Sequence, residues 1–381
     1  MSEIAIFLKD LDGGGAERVM LNLAEGFAWQ GMDVDLVLVT PEGPYLSQIS
    51  PQINAVNLNR KSLLRSLPDL VGYLKRERPK VLLSALEDTN LVALWAKSLA
   101  GGCTRTIVTV HNTLSRESRH APNLKRKFVP YLIPWVYPIA DAVVCVSRGV
   151  AKDLNQLGLR GENIHVIYNP IVTPPLQAKQ EESIDHPWFS PGEPPVILGV
   201  GRLNKQKDFP TLIRAFAKVR ENQSMRLMLL GEGEERSHLE SLVRELGIAA
   251  DVALPGFVAN PYAYMARSAL LVLSSAWEGF GNVLVEAMSA GTPVVSTNCE
   301  SGPAEILAEG TYGKLVPVGD SEAMATAIAQ TLAEVPDGQV LQTRAAVFSA
   351  ENAIAQYRQL FPMDSPARSH DSPNLIQPRG Q

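Results

Sequence analysis

One pattern occurs twice in this 381-residue chain: a run of aliphatic and β-branched residues, a glycine-bearing loop, then an amphipathic stretch. The first half begins with EIAIFLK from Glu3, the loop LDGGG and the helical AERVMLNLAEGFAWQG, and further runs follow at DVDLVLVT, VLLSALE, TIVTVHN and AVVCVS. The second half repeats the pattern with VILGVGRL, a helix expected from Phe209 to Glu221, RLMLLGEGEE, VALPGF, ALLVLSS and PVVSTN. Strands that are apolar along their whole length are buried on both faces. That is the habit of parallel sheets covered by crossover helices. The expected fold class is α/β, with two such units facing across a cleft and ligands at the C-terminal ends of the strands.

Between the halves, PIVTPPLQAKQEESIDHPWFSPGEPP is dense in proline, shows no periodicity, and reads as a linker over 171–195. The units are then 1–170 and 196–345. A helix over 346–361 is expected to cross back to the first unit, and the polar, proline-rich 362–381 reads as a disordered tail. No apolar run of about 18 residues exists, so no membrane-spanning helix is expected. The start MSEIAIFLKD is too short and too charged for a signal peptide. Cys103, Cys145 and Cys299 lie far apart, which argues against a zinc site or a disulfide framework and fits a reducing, cytoplasmic setting. Net charge is −5, with basic groups in excess up to Pro170 and acidic groups after it. The first half is therefore the candidate to meet a negatively charged surface. A nucleic-acid partner is not expected.

The stretch WEGFGNVLVEAMSAGTPVVSTN from Trp277 carries the chemistry. Glu278 and Glu286 stand there with seven residues between them, Gly279 and Gly281 among these. Placed between a buried strand and a helix, the glycines let a ligand approach the backbone, and the free N–H groups near Gly281, Asn282 and Val283 suit a diphosphate. Glu286 is expected about two turns into that helix, facing the same cleft as Glu278. After the strand VILGV, GRLNKQKDF supplies Arg202 and Lys207, two cations able to hold a diphosphate and stabilise its charge as a glycosidic bond breaks.

The sequence EGFGNVLVE followed by AMSAGTPVVST resembles the signature of the retaining glycosyltransferases of family four, which have the GT-B fold. The resemblance extends to DGGGAERV, TVHN, VSRGV, the Asn169–Pro170 pair, GRLNKQKDF and GEGEE, nearly the whole chain. It implies that Glu278 contacts hydroxyls of a donor sugar, that Glu286 binds the nucleotide ribose, and that Arg202 and Lys207 hold the phosphates. It also implies that the glycine loop, at Gly14 and Gly15, lies against the diphosphate or the sugar. His111, at the end of TIVTV, faces the sugar in similar enzymes, and its expected role is positioning or electrostatic support.

The resemblance thus implies transfer of a sugar from a nucleotide diphosphate to an acceptor hydroxyl with retention. UDP is expected ahead of GDP as the nucleotide, and no metal or other cofactor is expected. The pairs Asp10/Asp12 and Asp33/Asp35 sit early rather than at a late strand end, where a metal-dependent transferase of another fold would need them. CESGPAEIL resembles bacterial enzymes that extend surface polysaccharides, several of which use N-acetylhexosamine donors, so a glycan or polyprenyl-linked acceptor is expected. The alternatives are a UDP-sugar epimerase of the same fold and a catalytically silent sugar-nucleotide-binding subunit. Basic residues among aromatics from Arg116 to Trp135 suggest peripheral docking on an anionic membrane surface at its cytoplasmic face, against the plainer reading of a solvated helix. Pro130, Pro134 and Pro138 are expected to keep that element short.

Overall fold

A computed structural model describes residues 2–102, 104–120 and 124–362. Of residues 120 and 124–128 only the backbone is described. The tail expected over 362–381 lies, from residue 363 on, outside the described residues.

The first unit is a parallel sheet of seven strands: β1 Ile4–Leu8, β2 Val34–Leu38, β3 Asn54–Asn57, β4 Val81–Ala85, β5 Arg105–Val110, β6 Ala142–Cys145 and β7 Ile164–Val166, in the order β3-β2-β1-β4-β5-β6-β7. The second is a parallel sheet of six: β8 Val196–Val200, β9 Arg226–Leu230, β10 Val252–Gly256, β11 Leu270–Leu273, β12 Val294–Thr297 and β13 Lys314–Val316, in the order β10-β9-β8-β11-β12-β13. Strands β1, β2, β4, β6 and β11 are buried at every residue, and they are apolar but for Asp35 and Ser84, each of which is hydrogen-bonded to a neighbouring side chain. In each sheet the order reverses beside the first strand, between β1 and β4 and between β8 and β11. That reversal opens a crevice at the strands' C-terminal ends. The two crevices face each other, because the turn after β11 is hydrogen-bonded to groups that follow β5 and β6.

The chain crosses between the units twice, and the crossings lie side by side. The N–H groups of Ile171 and Val172 both donate to the Phe348 carbonyl, at 2.9 and 3.1 Å, and Ala350 N–H donates to the Val172 carbonyl at 3.0 Å. The helix Ala350–Gln359 then packs on the helix Gly15–Trp29 of the first unit, with the Tyr357 ring edge-on to Phe27.

The segment expected as an irregular linker carries a helix, Pro174–Glu181. Its two leading prolines sit in the first turn, where a missing N–H costs nothing, and Thr173 caps it by accepting the Leu176 N–H at 3.3 Å. Proline density here marked a helix start. The helix also braces the second unit, since Gln180 donates to the Glu286 carbonyl at 3.2 Å and to Ser289 Oγ at 2.7 Å. A helix runs over Leu124–Val136 straight through Pro130 and Pro134. Ile133 and, just beyond the helix, Tyr137 are fully buried, and that anchoring works against the roughly 3 kcal/mol that each of the two interior prolines costs.

Candidate functional site

The loop after β8 and the turn after β11 are built as one object. Ala276 N–H donates to the Gln206 carbonyl at 2.8 Å, Gln206 Nε2 to the Trp277 carbonyl at 3.0 Å, and Ser274 Oγ to the Lys207 carbonyl at 2.7 Å. These bonds aim Lys207 Nζ at Glu278 Oε1, 2.5 Å away, and Ser275 Oγ donates to the same oxygen at 2.6 Å. Glu278 is only 6% exposed, so its charge is held by a paired cation and a hydroxyl instead of water. Arg202, on the same loop, is exposed and stands close enough to Glu17 of the first unit to act on its carboxyl electrostatically.

The turn ends at Gly281, whose φ of +100° admits the chain into the helix Asn282–Ser289 without a side-chain cap. Its leading N–H groups, those of Asn282 and Val283 among them, therefore take no side-chain cap from Gly281. Glu286 lies one turn into this helix, not two, because the helix begins only at Asn282. It is 8% exposed, and burial pushes its carboxyl up to about 7, against the pull of Arg18 and, more weakly, Lys207.

Across the cleft, the helix Gly15–Trp29 likewise starts at an uncapped glycine, Gly14. The two helix starts touch: a Cβ on Gly15 would lie 3.4 Å from Asn282 Nδ2, and Asn169 Nδ2 donates to Asn282 Oδ1 at 2.8 Å. The Glu17 carboxylate folds back over Gly14, where burial raises its pKa. His111 follows β5 with its Nε2 2.8 Å from Thr109 Oγ1, a hydroxyl that donates to the Ser84 carbonyl. Satisfying that carbonyl makes Nε2 the donor. Burial lowers the His111 pKa to about 4, so the ring is neutral at physiological pH and offers a hydrogen bond but no charge.

The turn itself is clamped from the first unit. Thr113 Oγ1 donates to the Glu278 carbonyl and Ser147 Oγ to the Gly279 carbonyl, both at 2.7 Å. Gly279 has no room for a side chain, since a Cβ there would stand 1.9 Å from the His111 carbonyl oxygen.

Two family models match this architecture, one described as Glycosyltransferase Family 4 over residues 13–173 and one as Glycosyl transferases group 1 over residues 180–346. The lipopolysaccharide core biosynthesis glycosyltransferase LpsE of Rhizobium meliloti is 30% identical over 355 residues, which cover 90% of this chain and 92% of that protein. The chain belongs to the GT-B glycosyltransferases. The glycosyltransferase is also 30% identical, over 345 residues covering 85% of its chain and 88% of the relative, to the N-acetylgalactosamine-N,N'-diacetylbacillosaminyl-diphospho-undecaprenol 4-alpha-N-acetylgalactosaminyltransferase of Campylobacter jejuni. Among solved structures, sucrose-phosphate synthase from Thermosynechococcus elongatus matches with a TM-score of 0.77 at 22% identity, over 94% of this chain and 98% of that one. Anabaena HepE in complex with UDP matches at 0.73 and 21%, over 94% and 99%. These two likenesses speak for the fold.

A member of this group moves a sugar from a nucleotide diphosphate to an acceptor. The geometry of the glycosyltransferase brings Arg202, Lys207, Glu278 and Glu286 to one side of its cleft and Gly14, Gly15 and His111 to the other. Among the described residues no group of three His, Cys, Asp or Glu side chains could hold a metal ion. Of the aspartate pairs, Asp35 is spent on Tyr73 and Asn54 beside β3, and Asp10 pairs with Lys9.

Sequence reasoning passed over Arg18. Its guanidinium lies 3.8 Å over the Tyr45 ring, donates to Gln48 Oε1 at 2.8 Å, and is the foremost cation acting on Glu286. Its place one turn after Gly15, in DGGGAERV, was the available signal. Thr113 and Ser147 were passed over too, because their role is a bond to the backbone of the other unit.

Proposed function

We propose that this glycosyltransferase is a retaining enzyme of family four that uses a UDP-sugar, with an N-acetylhexosamine the first candidate. The observation that carries the reading is the meeting of two uncapped helix starts beside the Lys207–Glu278 pair and the buried Glu286. The diphosphate lies against the N–H groups near Gly14, Gly15, Asn282 and Val283, with Arg202 and Lys207 taking up the charge as it departs. Glu278 accepts from sugar hydroxyls and Glu286 from the ribose. The departing phosphate draws the proton from the acceptor hydroxyl as that oxygen attacks from the same face, which retains the anomeric configuration. Neutral His111 positions the sugar. A donor-hydrolysis screen over UDP- and GDP-sugars, with the product anomer read by NMR, tests this. Activity is expected to persist in EDTA. Complete loss on chelation, restored by Mn²⁺, would assign the diphosphate to a metal, and an epimerised free nucleotide sugar would assign the chain to the epimerases.

Glu286 supplies a pH signature. A carboxyl with its pKa near 7 is half protonated at neutrality. Ribose hydroxyls prefer the ionised acceptor, so affinity for a nucleotide sugar rises from pH 6 to pH 8. The linkage sign agrees: a carboxyl raised in the folded state favours folding at low pH, and that contribution is lost as pH rises from 4.5 through 7. Bound nucleotide then restores stability most on the alkaline side. Glu286→Gln is expected to flatten the affinity profile, and Glu286→Ala to weaken UDP about ten- to hundred-fold, the worth of one charge-assisted hydrogen bond. Unchanged affinity by calorimetry would remove the ribose assignment.

The acceptor side suits a polyprenyl-linked or glycan substrate at the cytoplasmic face of a membrane. On the helix Leu124–Val136 and just after it, Tyr131 is 71% and Trp135 82% exposed, with Leu132 and Ile139 beside them, an apolar strip of the kind that seats in a lipid interface. The cations at Lys125, Arg126 and Lys127 have side chains outside the described residues. No described helix is long and apolar enough to cross a membrane. The Campylobacter relative is named for a diphospho-undecaprenol acceptor, and that kinship supports the reading. Flotation with anionic vesicles is expected to bring the protein up at low salt, less so with Trp135→Ala and Tyr131→Ala or with the three cations changed to Glu. Wild-type protein that stays at the bottom at low salt would leave a solvated helix.

A further inference from the structure

The stretch CESGPAEIL from Cys299 follows β12 and reaches across the cleft. Glu305 sits in the short helix Pro303–Ile306 of the second unit. Its Oε2 accepts the Arg148 N–H and its Oε1 the Gly149 N–H, each at 3.0 Å, and the Tyr168 hydroxyl donates to Oε2 at 3.0 Å. Arg148 and Gly149 are the first two residues of the first-unit helix Arg148–Gln156. Ser147, its N-cap, accepts the Val150 N–H at 3.1 Å while donating to the Gly279 carbonyl. One helix start therefore touches both Glu305 and the turn that carries Glu278.

The backbone that carries Glu305 is also braced from behind. Arg344 donates to the carbonyls of Glu305 and Ile306, at 2.6 and 2.8 Å, and its guanidinium lies over the rings of Tyr312 and Phe348. Phe348 in turn accepts the two N–H groups at the crossing between the units. Gly149 makes the approach possible, since a Cβ there would lie 2.3 Å from Ser301 Oγ and 2.6 Å from its Cα.

We propose that Glu305 is a positioning residue: beside the helix's own cap at Ser147, the second domain supplies an acid that takes the two leading N–H groups of a helix in the first, and engaging them aligns the Glu278 turn for transfer. An acid at a helix start meets both free N–H groups and the positive end of the dipole, so the contact is directional. Half-buried groups can exchange these bonds for water when the domains part, which makes the clasp reversible. The neighbouring Arg116–Glu300 pair, at 2.9 Å, is exposed on both sides and adds little.

The test compares Glu305→Ala, Glu305→Gln and Gly149→Ala with wild type by small-angle scattering with and without UDP, by UDP calorimetry and by donor kinetics. Alanine suits the helix at 149, so that variant should fold normally while Ser301 keeps the domains apart. Both alanine variants are expected to scatter as more open molecules, with UDP affinity lowered no more than about tenfold, because only the Gly14 and Gly15 contacts are lost while the ribose carboxylate and the phosphate cations stay together on the second domain. Turnover should fall about tenfold or more with donor KM little changed, and Glu305→Gln should lie between, since its amide keeps one acceptor oxygen. Variants as compact as wild type, or with wild-type turnover, would overturn the clasp. If UDP binds none of the proteins, the ligand-free scattering still decides the clasp, and only the sugar-donor reading fails.

Discussion

Replacing Arg202 and Lys207 together by alanine is expected to slow turnover by about 10²–10³-fold. In the proposed reaction negative charge develops on the departing diphosphate, and Arg202 and Lys207 are two of the cations on the loop after β8. Lys207 has a second task, because its ammonium neutralises a Glu278 side chain that is only 8% exposed. Removing one partner of a buried pair costs about 3–5 kcal/mol, and with the Lys207 side chain 19% exposed the cost falls at the lower end. Slow turnover could then reflect a weakened fold. A companion variant, Lys207→Ala with Glu278→Gln, removes the stranded charge and is expected to regain most of the unfolding midpoint while staying inactive. Turnover of the Arg202→Ala, Lys207→Ala protein within tenfold of wild type would take both cations out of the reaction.

Gly279→Ala is expected to be nearly as damaging, for a geometric reason. Its methyl would fall 1.9 Å from the His111 carbonyl oxygen and 2.9 Å from the Asn112 Cα, both backbone atoms that no rotamer can move aside. The residue lacks the positive φ that would itself penalise alanine, so the second domain should fold and keep its UDP affinity. What is lost is the seating of the turn on the first domain, with the hydrogen bonds from Thr113 and Ser147 that hold it. A displacement of about 1 Å between reacting groups can cost about 10²-fold, and a fall of that order in turnover with intact UDP binding is expected. A Gly279→Ala enzyme with wild-type turnover would mean that transfer takes place with the domains apart.

Much of this was legible in the linear sequence, for a physical reason. A doubly covered parallel strand is apolar at nearly every position, so β1, β6 and β11 announced themselves. The close approach at Gly279 and the left-handed entry at Gly281 could be met only by glycine. Groups that act through their neighbours were harder to read. Arg18 looked like one more charge on an amphipathic helix, and only the docking of that helix beside Asn282 sets it near Glu286. The prolines at 174 and 175 read as breakers because their place relative to a helix start is invisible until Thr173 is seen capping it. Glu305 looked like part of a signature for polysaccharide enzymes, while its carboxylate serves a helix more than 150 residues earlier in the chain.

The paired crossings at Val172 and Ser349 have a mechanical consequence. A single strand between two bodies permits bending in every direction and twisting about its own axis. Two strands held side by side, by the bonds from Ile171, Val172 and Ala350, behave as a strap. A strap flexes about one axis and resists torsion, so any parting of the second domain, inserted between these two points, is expected to follow one path. Glu286, Glu278 and the helix start at Asn282 then come back opposite Gly15 and His111 in the same register on each cycle. A return along that path would need no search over relative orientations, only the swing of a door.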